Sequence, residues 1–160
     1  MRPSVDPMTA TTTDAPRIDL LRAWPEGYEA MRALDRAVST SGIEPSLYTL
    51  IKLRASQING CAYCLDMHAK EARHEGESQQ RLDVLPAWRE VGLYSERERA
   101  ALALTEAVTL VADGHVPDEV VDAARPHFSE DELARLVMAI VVINGWNRIA
   151  ITARIPLPPA

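Results

Sequence analysis

Residues 44–73 read EPSLYTLIKLRASQINGCAYCLDMHAKEAR. Pro45 suits the first turn of a helix, and Leu47, Leu50, Ile51 and Ile58 recur at the spacing of one buried helical face. The pair Asn59-Gly60 then breaks the pattern. Because Asn and Gly both favour helix boundaries, the break predicts that one helix ends there and a second runs from about Cys61 to Gly76. Cys61 is thereby placed at a helix N-terminus.

The flanking sequence repeats the helical signal. PEGYEAMRALDRAVSTSG opens on Pro25, spaces Tyr28, Met31, Leu34 and Val38 along one face, and stops at Gly42. After GES at 76–78, a short helical stretch leads through Pro86 to AWREVG. Ser95 to Glu98 and Ser129 to Glu132 each fit a capping box, in which Ser and Glu side chains satisfy free backbone N–H groups. These boxes start two long helices that are apolar around most of their girth, as expected of central or subunit-contact helices. Between them, VPDEVVDAARPHF predicts a shorter amphipathic helix closed off by Pro126. No run alternates with the period of a strand. The expectation is an all-α, single-domain chain of six or seven helices over residues 17–160, preceded by a loosely held Thr- and Pro-rich arm over residues 1–16.

Composition narrows the function classes. With 160 residues, 47% of them hydrophobic, the chain can bury a full core without a covalent staple. A net charge of −6 argues against a phosphate backbone or an anionic membrane surface as partner, so neither nucleic acid nor membrane is expected. The longest wholly apolar run, Leu136 to Ile143, is far short of the roughly 20 residues a membrane span needs and reads as a buried helix. The N-terminal stretch lacks the apolar core of a secretory signal, which makes a reducing cytoplasm the expected compartment.

Both cysteines lie in C-x-x-C, with His68 four residues after Cys64. On a helix, residues 61, 64, 65, 68 and 72 share one face, so both sulfurs and the imidazole point the same way. A thiol near a helix N-terminus meets the positive end of the dipole, which favours the reactive thiolate. Zinc would need a fourth ligand, and His74, His115 and His127 show no second paired motif. Haem attachment would need His directly after the second Cys, where Leu65 stands. A structural disulfide over so short a loop stabilises little. Redox or nucleophilic chemistry is favoured, because His68 sets a proton acceptor beside a thiol.

The run LIKLRASQINGCAYCLDMHAKEAR, followed by LPAWRE, YSERERAALALTEAVTL, GHVPDEV, HFSEDEL and INGWNRIAI, resembles AhpD-like proteins of the carboxymuconolactone decarboxylase superfamily over about residues 17–153. The resemblance implies an all-α fold that assembles into trimers or hexamers and acts as a thiol peroxidase without a cofactor. By that likeness Cys64 attacks a small-molecule peroxide, Cys61 resolves the sulfenic acid and His68 relays the proton. A lipoylated or thioredoxin-like dithiol protein would restore the thiols. The family's relay glutamate, twelve residues before the first cysteine, is replaced by Thr49, and Glu44 lies at the very start of that helix. A weakened relay is therefore expected, with Thr49→Glu faster by roughly tenfold or more.

Other functions fit the same site less well. A dithiol–disulfide reductase or redox sensor would use the cysteines with little peroxide turnover. A non-enzymatic oligomeric module, or a lactone decarboxylase, would not need them. Asp66 and Glu71 read as solvated or ion-paired, Trp88 and Trp146 as core or interface packing, and His115 and His127 carry no assigned role.

Overall fold

The computed structural model describes residues 15–158. All but Ala15 and Pro16 of the expected arm lie outside that range. Among the described residues the chain forms eight α-helices, one 3₁₀ helix and no strand. In order these are α1 Leu20–Ala23, α2 Pro25–Ser39, α3 Pro45–Asn59, α4 Ala62–His74, α5 Gln79–Val84, the 3₁₀ helix Leu85–Glu90, α6 Glu96–Thr109, α7 Asp118–Ala124 and α8 Glu130–Ala153. The expected six or seven becomes nine for local reasons. A single turn, α1, precedes Pro25, and the stretch after Ser78 is divided because Pro86 has no N–H to continue an α-helical ladder.

The end signals read from sequence are present as interactions. Ser95 Oγ accepts from the Glu98 N–H while a Glu98 carboxylate oxygen accepts from the Ser95 N–H, and Ser129 and Glu132 repeat the arrangement at α8. Each cap of this kind is worth about 1 kcal/mol. Thus α6 and α8 begin where their capping boxes set them.

Helix α3 sits at the centre, packed against α4, α6 and α8. Leu47 and Ile51 join Leu104, Phe128, Leu136 and Ile140 in one core cluster. On another side of α3, Leu50 and Leu53 pack with Leu85, Trp88, Tyr94 and Leu102. A helix with core on two sides has only a narrow strip left for polar residues. That strip carries Tyr48, Thr49 and Lys52, all buried.

Helix α8 explains the longest apolar stretch. Its 24 residues include a window of mean hydropathy 1.6, long and apolar enough by length and composition to cross a membrane, but half of that window is buried in this fold. The helix packs against α2, α3, α4 and α6, with Leu136, Ala139, Ile140 and Ile143 buried. Its backbone approaches α2 closely at Gly145, where an added Cβ would lie 2.8 Å from Met31 Cε. Val137, Met138 and Val141 face outward and remain exposed.

Candidate active site

The site is built by the turn between α3 and α4. Helix α3 ends on Gly60 in the left-handed conformation, with φ of 67°, a geometry glycine adopts without a Cβ penalty. Two amides hold this end in place. Asn59 Nδ2 donates to Asn144 Oδ1 at 2.9 Å and Asn147 Oδ1 at 2.8 Å, while Asn147 Nδ2 donates to Ser56 Oγ at 3.0 Å. Asn147 is fully buried, so its hydrogen bonds tie α3 to α8 with no competition from water.

Cys61 is the N-cap of α4, and its Sγ accepts from the Cys64 N–H at 3.4 Å. The two cysteines are joined by a disulfide across a Cα–Cα distance of 5.3 Å, within the ordinary range for such a bond. Both are shielded, Cys61 at 1% exposure and Cys64 at 2%. They differ in what they face. Cys64 lines a cavity of about 620 Å³, whereas Cys61 does not.

Two helical stripes meet across that cavity. Helix α4 and its C-cap residue contribute Cys64, Met67, His68, Glu71 and Glu75, spaced three and four apart, and α3 contributes Tyr48, Thr49 and Lys52. His68 Nδ1 lies 2.8 Å from Glu71 Oε2, and Lys52 Nζ lies 2.6 Å from the same oxygen. The Lys52 ammonium also sits 4.4 Å from the centroid of the Tyr48 ring, and the Tyr48 hydroxyl donates to Asp35 Oδ1 at 3.3 Å. Burial and the Asp35 carboxylate raise the Tyr48 hydroxyl well above its ordinary value, so it stays a neutral donor.

The charge state of His68 follows from its surroundings. Burial pushes the imidazole below its ordinary value, and the hydrogen bond to Glu71 only partly offsets this. Glu71 is held at about 2, first by the hydrogen bond from His68 and further by Lys52, against an opposing effect of burial. An ionised carboxylate only accepts, so the neutral imidazole carries its proton on Nδ1. Nε2 is left with a free lone pair, the form a general base requires.

A carboxylate reaches His68 although Thr49 stands at the position of the family's relay glutamate. The Thr49 hydroxyl donates to Glu75 Oε2 at 2.9 Å, and the carboxylate on His68 comes from Glu71, one turn further along α4 itself. Glu44, which pairs with Arg97 at 3.4 Å, takes no part. Asp66 and Glu71 are both ion-paired, but only Asp66, 2.8 Å from Lys70, is away from the cavity. Trp88 is buried in the core, with Nε1 donating to Glu106 at 2.8 Å. Trp146 instead lines the cavity, edge-on to Tyr28 at 5.4 Å between centroids. His74, His115 and His127 are not among the lining residues, and among the described residues no three His, Cys, Asp or Glu side chains converge to hold a metal ion.

Sequence reasoning passed over Lys52, Tyr48 and Asp35. The available signal was Lys52 itself, a lone charge inside the apolar run LIKL, together with a glutamate three residues after His68.

An all-helical scaffold with a C-x-x-C at the start of a helix and a buried histidine one turn later defines a class of helical dithiol proteins. The profile of the carboxymuconolactone decarboxylase family matches residues 24–107, and the chain belongs to this family, among its AhpD-like members. The uncharacterized protein YdfG of Bacillus subtilis is 43% identical over 135 residues, which span 84% of this chain and 92% of that protein. A crystal structure from Agrobacterium tumefaciens, of a protein of unknown function assigned provisionally to AhpD antioxidant defence, superposes with a TM-score of 0.87 at 46% identity. That match covers 91% of this chain and 99% of the other. The fold extends to the debrominase Bmp8, with a TM-score of 0.74 at 20% identity over 86% of this chain and 74% of that one.

Proposed function

We propose that the protein is a cysteine-based peroxidase that reduces hydrogen peroxide or an organic hydroperoxide through Cys64 and Cys61. The observation that carries this reading is the asymmetry of the pair. Cys64 opens onto the cavity beside His68, while Cys61 stands behind it within disulfide reach. His68 Nε2 takes the Cys64 thiol proton, and the thiolate attacks one peroxide oxygen. The S–O bond forms as the O–O bond breaks, and the departing alkoxide or hydroxide is protonated to an alcohol or water. Cys61 sulfur then attacks the Cys64 sulfenic acid, so that an S–S bond replaces the S–O bond and water leaves. Peroxide is reduced by two electrons and the two thiols are oxidised to the disulfide.

A dithiol protein, lipoylated or thioredoxin-like, then reopens the disulfide by exchange, and the cycle belongs in a reducing cytoplasm. The reduced protein is expected to lose two thiols per equivalent of peroxide, with mass spectrometry finding the loss of two hydrogens in a peptide holding both cysteines. A protein that closes its disulfide only with a disulfide reagent, and ignores peroxide, would be a dithiol–disulfide reductase or redox sensor instead. AhpD-like family membership and the location of Cys64 favour the peroxidase.

We also propose that the chain assembles as a trimer or hexamer. Val137, Met138 and Val141 form an exposed apolar stripe on α8, the kind of surface that association removes from water. Light scattering at micromolar concentration is expected to give a multiple of the 17.7 kDa chain mass. A monomer would count against assembly through α8.

A further inference from the structure

We propose that Lys52 and Glu71 are positioning residues for His68, forming a carboxylate clamp with its own counter-ion. This rests on the reading that Cys64 and His68 carry thiol chemistry. One oxygen, Glu71 Oε2, receives both His68 Nδ1 at 2.8 Å and Lys52 Nζ at 2.6 Å. The carboxylate is thus gripped from its own helix and from α3 at once, which fixes its direction more firmly than a surface i, i+3 contact would. The Lys52 side chain is only 9% exposed, and an ammonium so placed needs a carboxylate to offset its loss of water.

The neighbouring groups give the clamp its purpose. His68 is faced by Glu71 from α4, by Lys52 from α3 and, further off, by Asp35 from α2. The lining that α8 supplies is Val142, Ile143, Trp146 and Ala150, all apolar. Without Lys52 the negative charges of Glu71, Glu75 and Asp35 would share the cavity with one cation, Arg32, which is paired with Glu29 at 3.1 Å. With it, Glu71 stays ionised, His68 keeps its proton on Nδ1, and Nε2 remains the basic nitrogen. Thr49 does not enter this chain of contacts because its hydroxyl is committed to Glu75.

The direct test is the ¹⁵N spectrum of the His68 imidazole in the reduced protein, read together with the rate of disulfide closure by hydrogen peroxide. The wild type is expected to show a single neutral tautomer protonated at Nδ1. Glu71→Ala, made also in the Lys52→Met background so that no buried ammonium is left unpaired, should shift the population toward Nε2–H and slow closure about tenfold or more. Lys52→Met, which keeps the aliphatic stem, should produce a smaller shift in the same direction and have little further effect in the Glu71→Ala background. Thr49→Glu should not gain on the wild type.

An unchanged Nδ1 tautomer in Glu71→Ala overturns the clamp, and so does a tenfold gain from Thr49→Glu. A wild type that shows the Nδ1 tautomer, and loses it in Glu71→Ala, supports the clamp even if peroxide closes no disulfide; that result would defeat the peroxidase reading alone.

Discussion

Replacing Cys64 with serine is expected to reduce peroxide consumption and peroxide-driven disulfide formation to background. A serine hydroxyl does not ionise near neutral pH and has no sulfenic state, so the first S–O bond cannot form. Cys61→Ser should behave differently. Cys64 still faces the cavity in that variant, so one equivalent of peroxide is consumed in a burst, and the sulfenic acid stays unresolved and open to over-oxidation. Stopped-flow measurement of the burst, followed by mass spectrometry of the Cys64 peptide, separates the two roles. A Cys64→Ser variant that still gives a burst, beside a Cys61→Ser variant that gives none, would reverse the assignment.

Removing the imidazole with His68→Ala is expected to slow disulfide closure by about 10²- to 10⁴-fold near pH 7, the usual worth of general-base assistance. The sign of the pH dependence follows from the depressed pKa. His68 is neutral at pH 7, and its base form persists as pH falls through the ordinary value of 6.5, so the acid limb of the wild-type profile lies below that value. The same depression costs stability in acid. Below about 6.5 the unfolded chain binds a proton that folded His68 takes up only at lower pH, so the stability from the buried neutral imidazole is present above 6.5 and lost beneath it. A His68→Ala rate within threefold of the wild type would mean that the dipole of α4 ionises Cys64 without a base.

Local rules carried the fold a long way. Pro45 at the start of α3, Gly60 at its end and the two Ser–Glu boxes act within four residues of themselves, so their consequences are written in short stretches of sequence. The shared face of Cys64 and His68 is equally local, because it depends only on helical periodicity, whereas Cys61, expected on the same face, is the extended N-cap of α4 and does not line the cavity. The count of helices was less legible. Pro86 marked a break in the stretch after Ser78, but a proline inside a helical pattern leaves open whether the helix kinks or ends there.

The partner of His68 was not legible. A helical glutamate three residues from a histidine is usually a solvated surface pair, and Glu71 acquires a different meaning only because Lys52, nineteen residues earlier, is buried beside it. That burial depends on α3 having core on two sides, which no window of sequence reveals. Trp146 and Tyr28 wall the same cavity although they are more than a hundred residues apart, through the close approach of α2 and α8 at Gly145.

By itself the sequence determined that this chain is helical, where its principal helices begin and end, and that the Cys64 thiol and the His68 imidazole share one face. Only tertiary structure decided which cysteine meets the cavity and which carboxylate meets the histidine. Hydrogen bonds and hydrophobic periodicity along one helix are properties of neighbours in the chain. The environment of a side chain is set by helices that arrive from elsewhere.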